Sequence, residues 1–198
     1  MLRTGKEHLE SLRDGRVVYV GSERIDDVTS HPAFREAART VAAIYDMKAD
    51  PANRDAMTYE EDGGRHSIYF LRPKTRDDLQ RRMEGHRRIA ELTHGMFGRS
   101  PDHVASFVTG MAMKPDALPR PHAFADNVTS YHRYIRDNDT YVVYAVAAPQ
   151  AARNPEFYQK KAIPVPSLRV VREDDAGVVI SGMKMLATGA VYADAAII

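Results

Sequence analysis

The sequence of 198 residues contains no cysteine. Without thiols the chain has no disulfides, no cysteine nucleophile, no iron–sulfur ligands and no cysteine-based zinc site. No apolar run approaches the ~18 residues of a membrane-spanning helix, and the N-terminus lacks the apolar region of a signal peptide. With 28 basic and 27 acidic residues the formal net charge is +1, so no nucleic acid and no membrane is expected as a partner. We expect a cytoplasmic protein.

Several familiar motifs of catalysis and nucleotide binding are also missing. The chain has no P-loop, no GxGxxG, no nucleophile elbow and no histidine pair at the i, i+4 spacing of a zinc site. Four histidines lack the spacing of metal ligands and are interpreted as exposed or core-edge side chains: His86, His94, His122 and His132. The common motifs therefore leave the chemistry unassigned.

Helical patterns occupy the first two thirds of the chain. The capping box Thr4-x-x-Glu7 predicts a helix from Gly5 to about residue 14. The sequence Thr75-x-x-Asp78 opens a longer helix that should reach about Phe97 and end at Gly98. Hydrophobic spacing predicts further helices within 31–49, over 101–113 and over 123–136, whereas 66–73 should be extended.

The last third is rich in β-branched residues. The segments "TYVVYAVAAP", "SLRVVRE" and "GVVISGMKMLAT" predict strands, and "EDDAG" predicts a hairpin turn. Helices followed by strands indicate an α+β fold, with a helical domain over 1–138 and a β domain over 139–198. Since the chain stops in the apolar run "GAVYADAAII", we expect the N-terminal part of a longer protein.

The segment "FGRSPDHVASF" places a cation at the start of a predicted helix. Ser100 suits an N-cap, Pro101 the first helical position, and Asp102 the positive helix end. Arg99 has the same sign as the helix dipole there, so this arrangement favours a nearby negative group. Asp102 itself is one candidate, and an anionic group of a substrate or cofactor is the other.

Three segments taken together resemble a known family. "GRSPDH" at 98–103, "YAVAAPQAAR" at 144–153 and "LRVVREDDAGVVISGMKMLATGAVYAD" at 168–194 are similar to the N-terminal region of the 4-hydroxyphenylacetate 3-hydroxylase family. These proteins are the oxygenase components of two-component flavin monooxygenases. The resemblance implies an acyl-CoA-dehydrogenase-like architecture: an N-terminal helical domain, the start of a β-barrel middle domain, and a C-terminal four-helix bundle that is missing here.

The same resemblance implies an activity. Such enzymes receive reduced FAD from a separate flavin reductase and react it with dioxygen, and the flavin hydroperoxide hydroxylates a small aromatic substrate, a phenol. The full-length protein would be a homotetramer. Two alternatives remain: a non-catalytic truncated fragment or half of a split enzyme, and a relative of the 4-hydroxybutyryl-CoA dehydratases. The absence of cysteine argues against the dehydratase, whose C-x-x-x-C pair would fall where this chain has Arg99 and His103.

The resemblance assigns three catalytic candidates. Arg99 would face the ring oxygen of the substrate, with His103 one helical turn further on. Tyr144 lies five residues before the proline of "PQ". The family usually has tyrosine at position 103 and histidine at position 144, so the two residue types are exchanged in this chain. Either arrangement offers a phenol and an imidazole, which predicts a preserved hydrogen-bonding set for a different aromatic substrate.

Four cofactor-binding candidates follow from the same comparison. Pro149 and Gln150 correspond to the segment against the flavin ring, and Arg153 to a nearby cation. Thr188, in "LATG", corresponds to a position where a hydroxyl bonds the flavin. An amide side chain both donates and accepts hydrogen bonds, which suits the edge of a flavin ring.

Overall fold

The computed structural model describes residues 2–118 and 123–198, and the chain divides into two compact units. Unit 1 contains the chain up to Val143 together with Gly189–Ala195, and unit 2 contains Tyr144–Thr188 together with Ala196–Ile198. None of the helices in the described ranges combines the length and hydropathy needed to cross a bilayer.

Unit 1 is mainly helical. Its helices are α1 Gly5–Ser11, α2 Arg35–Ala49, α3 Arg54–Met57, α4 Arg76–Leu92, α5 Pro101–Met113 and α6 Ala123–Asp137. Two antiparallel hairpins accompany them, β1 Val18–Val20 with β2 Glu23–Ile25, and β3 Thr58–Glu61 with β4 Gly64–Ser67. Strand β5 spans Val142–Tyr144, of which Val142 and Val143 belong to unit 1.

The start of α1 confirms the predicted capping box. The Thr4 hydroxyl accepts from the Glu7 amide at 3.2 Å, and the Glu7 carboxylate accepts from the Thr4 amide at 2.7 Å. The helix is shorter than predicted and ends at Ser11. Gly15 takes a left-handed φ of 85° in the turn that follows.

Helix α4 also ends earlier than predicted. It stops at Leu92 rather than near Phe97, because His94 and Gly95 take left-handed φ angles of 51° and 69°. The Gly95 amide then donates to the Ala90 carbonyl at 2.8 Å and the His94 amide to the Glu91 carbonyl at 3.2 Å. This pair of bonds is a Schellman motif, with histidine where glycine is usual.

The prediction of an extended 66–73 segment is wrong in its middle. Strand β4 ends at Ser67, and Ile68–Phe70 form a buried 3₁₀ turn. The Tyr69 carbonyl accepts from the Arg82 guanidinium at 2.7 Å and from the Thr109 hydroxyl at 3.3 Å. Those two donors lie on α4 and α5 and satisfy a carbonyl that a strand partner would otherwise bind.

A buried ion pair joins Asp139 to helix α2 within unit 1. The Lys48 ammonium lies 2.8 and 2.9 Å from the two carboxylate oxygens of Asp139, and both side chains are almost fully buried. The Ser67 hydroxyl donates to the same carboxylate at 2.6 Å. Tyr141 and Val143 then join the hydrophobic core that α1 and α2 share. The first stretch of this compact unit therefore includes Asp139, Tyr141 and Val143.

Unit 2 confirms the predicted hairpin. Strands β6 Arg169–Asp174 and β7 Gly177–Ser181 pair antiparallel, with Asp174 opposite Gly177 at the turn. A short helix, α7 Pro155–Lys160, precedes them. Strand β8 spans Ala195–Ile197, and all but its first residue belong to unit 2. Every residue of β6 and β7 is exposed.

Candidate functional site

The start of α5 lies where the sequence predicts it, but its cap differs. Pro101 occupies the first helical turn, and the Ser100 backbone is extended, as at an N-cap. The Ser100 hydroxyl donates to the Asp102 carboxylate instead of accepting from the helix amides. The Ser100 carbonyl accepts the His103 amide at 3.0 Å, which closes the first turn.

Arg99 and His103 come together across this turn. The Arg99 guanidinium lies 3.1 Å from His103 Nε2, and since arginine only donates, the ring nitrogen is the acceptor. Arg99 is half-buried and His103 is exposed. Both carboxylate oxygens of Asp102 are bonded to other side chains, His86 and Ser100, so Asp102 is not dedicated to neutralising Arg99.

A buried tyrosine forms a hydrogen bond to the backbone of Arg99. The Tyr141 hydroxyl donates to the Arg99 carbonyl at 2.5 Å. Gly189 packs against the same hydroxyl: a Cβ built on this glycine would lie 2.5 Å from the Tyr141 oxygen. Burial raises the Tyr141 pKa, so the phenol stays protonated and remains a donor. Sequence analysis missed both residues because nothing local to either one indicates the contact.

A cavity of about 420 Å³ lies beside the first turns of α5. Helix α4 and the segment after it form the opposite wall. His103 contributes to the lining, and the other polar groups are those of Thr93, His86, Ser100, Asp102 and Ser106. Ile89, Ala90 and Phe97 make the wall partly apolar. This lining suits a small molecule with an apolar body and a few polar atoms.

One side-chain contact in this wall joins α4 to α5. His86 Nδ1 lies 2.5 Å from the Asp102 carboxylate. Burial by itself would raise the Asp102 pKa, but the hydrogen bonds from His86 and Ser100 hold it below the usual value. The carboxylate is therefore ionised at neutral pH. The two residues are 16 positions apart on different helices, so no spacing rule in the sequence could have paired them.

His132, one of the four histidines interpreted from the sequence as exposed or core-edge, is a core residue in the structure. His132 is 3% exposed, and its Nε2 lies 3.2 Å from both the Phe70 carbonyl and the Thr109 hydroxyl. Burial lowers its pKa to about 4, which keeps the ring neutral at pH 7. His94 is exposed as expected, and His122 lies outside the described residues.

The remaining candidates lie in unit 2. Tyr144 is half-buried at the start of the unit, and Pro149 is buried. Gln150 begins a 3₁₀ turn that ends at Arg153, and both side chains are exposed. Thr188, also exposed, is the last residue of the first stretch of this unit. An amide, a guanidinium and a hydroxyl thus face outward from one small unit.

One backbone bridge brings the two candidate segments of unit 2 side by side. Ala147 and Met185 pair antiparallel, and the Met185 amide donates to the Ala147 carbonyl at 2.8 Å. Antiparallel pairing directs Thr188 toward Tyr144 and directs Gln150 the opposite way along the pair. The structure therefore places Tyr144 and Thr188 on the same side of this bridge.

Comparison with known proteins gives a consistent result. The family model described as 4-hydroxyphenylacetate 3-hydroxylase N terminal matches residues 4–198. The oxygenase component of 4-hydroxyphenylacetate 3-monooxygenase from Thermus thermophilus is 42% identical over 192 residues, covering 95% of this chain and 38% of that protein. The chain thus spans well under half the length of the relatives it matches.

Solved structures agree with the sequence match. A crystal structure of such an oxygenase component, complexed with FAD and 4-hydroxyphenylacetate, superposes with a TM-score of 0.79 at 37% identity, covering 92% of this chain and 38% of that one. A 4-hydroxybutyryl-CoA dehydratase from N. maritimus shares the fold at 19% identity, with a TM-score of 0.76 over 98% of this chain and 39% of that one. These neighbours confirm the predicted α+β, acyl-CoA-dehydrogenase-like fold class.

Proposed function

Because this chain belongs to the 4-hydroxyphenylacetate 3-hydroxylase family through its N-terminal region, we propose that it is part of the oxygenase component of an FADH2-dependent aromatic monooxygenase. The observation that carries the proposal is the Arg99–His103 pair at the start of α5, beside a partly apolar cavity. The chain covers 38% of the Thermus relative, so the hydroxylation is proposed for the full-length protein.

Arg99 acts on the substrate in this proposal. Its guanidinium keeps its charge at all physiological pH values, and the amide end of α5 adds a second positive field. Together they stabilise negative charge on a phenol oxygen. A phenol with phenolate character is more electron-rich and attacks an electrophilic oxygen faster. His103 and Tyr144 supply further hydrogen bonds, with residue types exchanged relative to the family pattern, which favours a phenol other than 4-hydroxyphenylacetate.

Residues of unit 2 are proposed to hold the flavin. FAD presents a ring edge that donates and accepts hydrogen bonds, and phosphates that accept them. The exposed Gln150 amide, the Thr188 hydroxyl and the Arg153 guanidinium match that set of donors and acceptors. The buried Pro149 would fix the start of the turn that carries Gln150. Reduced FAD, when bound, supplies the dioxygen chemistry.

Partners follow from the same proposal. An oxygenase component of this kind requires a separate flavin reductase, dioxygen and a small aromatic substrate. A homotetrameric full-length protein, a cytoplasmic location and the domain division at residue 138 also belong to the proposal.

Replacing Arg99 in the full-length protein tests the function. With reduced FAD supplied, Arg99→Ala should lower the hydroxylated product formed per flavin oxidised by at least about tenfold, because one lost charge-stabilising donor typically costs that much or more. Flavin oxidation should continue and release hydrogen peroxide. The measurement is product and peroxide per turnover, across a screen of phenols.

A matched control is Arg39→Ala, which removes an exposed arginine of α2 that pairs with Glu36. This variant should couple like the wild type. If Arg99→Ala also keeps wild-type coupling, Arg99 does not act on the substrate.

A further inference from the structure

Four side chains form a polar row, and three of them line the cavity wall. Arg82 Nη2 donates to the Ser106 hydroxyl at 2.9 Å, and that oxygen lies 3.5 Å from His86 Nε2. On the other side of the ring, His86 Nδ1 lies 2.5 Å from Asp102. His86, Asp102 and Ser106 all line the cavity, so the row is open to a bound molecule.

The partner of each ring nitrogen determines where the His86 proton lies. An ionised carboxylate only accepts hydrogen bonds, so Nδ1 carries the proton that faces Asp102. In the neutral ring Nε2 then has the lone pair. Among the described residues its hydrogen-bond contact is the Ser106 oxygen at 3.5 Å, longer than an ordinary hydrogen bond. Nε2 is therefore an acceptor whose existing contact is weak enough for a ligand hydroxyl to replace.

The neighbouring Arg99–His103 pair does not offer the same acceptor. A guanidinium cannot take up a proton in this pH range. The lone pair of His103 Nε2 accepts from Arg99 at 3.1 Å. When a phenol ionises near Arg99, its proton needs a different base, and His86, which lines the cavity together with His103, offers Nε2 for that role.

We propose that the cavity binds the hydroxyl-bearing ring of a phenol and that His86 Nε2 accepts the proton of that hydroxyl, with Asp102 as the residue that positions the ring. The inference rests on the proposed function and adds the base that the reaction requires. The phenol O–H bond breaks, its electron pair stays on the oxygen, and the proton forms an imidazolium that faces the Asp102 carboxylate.

Charged and polar groups around His86 stabilise both products of this proton transfer. Asp102, on α5, stabilises the imidazolium, and the amide end of α5 stabilises the phenolate. Arg82, on α4, adds a positive charge behind the Ser106 hydroxyl. His103 is the other ionisable group in the cavity lining. Room is sufficient, since a cavity of about 150 Å³ holds benzene and this one measures about 420 Å³.

The experiment uses the chain itself with 4-nitrophenol, whose phenol and phenolate forms absorb differently. At a pH where the free probe is mostly protonated, wild-type protein should bind it and convert the bound fraction to phenolate. His86→Asn keeps a donor toward Asp102 but removes the base, and should lower the phenolate-to-phenol ratio of the bound probe about tenfold or more, one pKa unit being a factor of ten.

The matched control is His94→Asn. His94 is exposed and does not line the cavity, and its left-handed φ of 51° suits asparagine. This variant should bind and ionise the probe like the wild type. Equal ionisation by His86→Asn overturns the role of His86, and a folded wild type that leaves 4-nitrophenol unbound overturns the cavity assignment.

A second measurement does not depend on the folding of a variant. Long-range ¹⁵N–¹H spectra of the wild type should show that the neutral His86 ring carries its proton on Nδ1 and none on Nε2. A neutral ring protonated at Nε2 would contradict the proposal. The coupling assay on Arg99→Ala separately tests the oxygenase function, so failure of one proposal is distinguishable from failure of the other.

Discussion

At the scale of single residues, the buried Lys48–Asp139 pair is the most demanding feature of unit 1. Burial lowers the Lys48 pKa to about 8, although Asp139 acts in the opposite direction. Burial alone would raise the Asp139 pKa, but Lys48 and Ser67 hold it below its usual value. Both groups are therefore charged at pH 7, and each depends on the other for neutralisation.

Lys48→Met should lower the free energy of unfolding by about 3–5 kcal/mol, because it leaves the Asp139 carboxylate buried without its cation. Urea unfolding followed by circular dichroism measures the change. The double variant Lys48→Met with Asp139→Asn should recover part of the loss, since it removes both charges. Lys6→Met, at an exposed site on α1, serves as the control and should stay within about 0.5 kcal/mol of the wild type. A Lys48→Met variant as stable as this control would contradict the argument.

At the scale of elements, the contact between Tyr141 and Gly189 links two distant parts of the sequence of unit 1 to the turn that carries Arg99. A Cβ at position 189 would lie 2.5 Å from the Tyr141 oxygen but 3.4 Å from the nearest ring carbon. Removing the hydroxyl therefore removes most of the conflict. What remains for Gly189→Ala is the strain of an alanine at a φ of 84°.

We expect Gly189→Ala to cost at least about 1 kcal/mol less in a Tyr141→Phe background than in the wild type, a coupling typical of residues in contact. Chemical denaturation of the four proteins in this cycle measures the coupling. Gly15→Ala is the control, because Gly15 has a similar φ of 85° and a Cβ added there would meet no atom of the described residues within 4 Å. Its cost should be the same in both backgrounds, and purely additive values for Gly189 would show that the hydroxyl is not the obstacle.

Helices and strands could be predicted from the sequence where the residues that start or end them are close together in the chain. Thr4 and Thr75 begin helices because their hydroxyls bond amides three residues away, which a reader of the sequence can see. The end of α4 could not be predicted, since it depends on His94 adopting a left-handed conformation that histidine seldom takes. The 3₁₀ turn at Ile68–Phe70 was missed because α4 and α5 supply its hydrogen bonds.

The contacts of the candidate site are likewise of two kinds: those that local sequence predicts and those that depend on the tertiary fold. Arg99 and His103 are four residues apart on one helix start, so their contact follows from helical geometry. His86 and Asp102 meet only because α4 packs beside α5, and Tyr141 meets Gly189 only through the tertiary fold. Contacts between elements distant in sequence are invisible in a single sequence, and these contacts supply the proposed base and the support behind Arg99.

At the scale of the whole molecule, buried histidines should determine its response to acid. Burial lowers the pKa of both His8 and His132 to about 4, from 6.5 in an exposed ring. As the pH falls from about 6.5 to about 4, the unfolded chain takes up protons that the folded chain refuses. This uptake favours the unfolded state. The free energy of unfolding that the two neutral histidine rings contribute is therefore fully present above pH 6.5 and is lost progressively as the pH falls toward 4.

His8 is the more informative of the two. Its ring is fully buried and stacks on Tyr45 with centroids 4.6 Å apart, and neither ring nitrogen has a hydrogen-bond partner among the described residues. His8→Phe keeps the stacked aromatic ring and removes the unsatisfied nitrogens, so the variant should be at least as stable as the wild type at pH 7. As the pH falls from 6.5 to 4, the unfolding free energy of His8→Phe should decrease by up to about 3 kcal/mol less than that of the wild type, since one pKa unit corresponds to about 1.4 kcal/mol. Urea unfolding at a series of pH values measures both effects, with His94→Asn as an exposed control that should follow the wild type. An acid profile of His8→Phe parallel to that of the wild type would mean that the His8 ring takes up its proton over the same pH range in the folded and the unfolded chain, contrary to its burial.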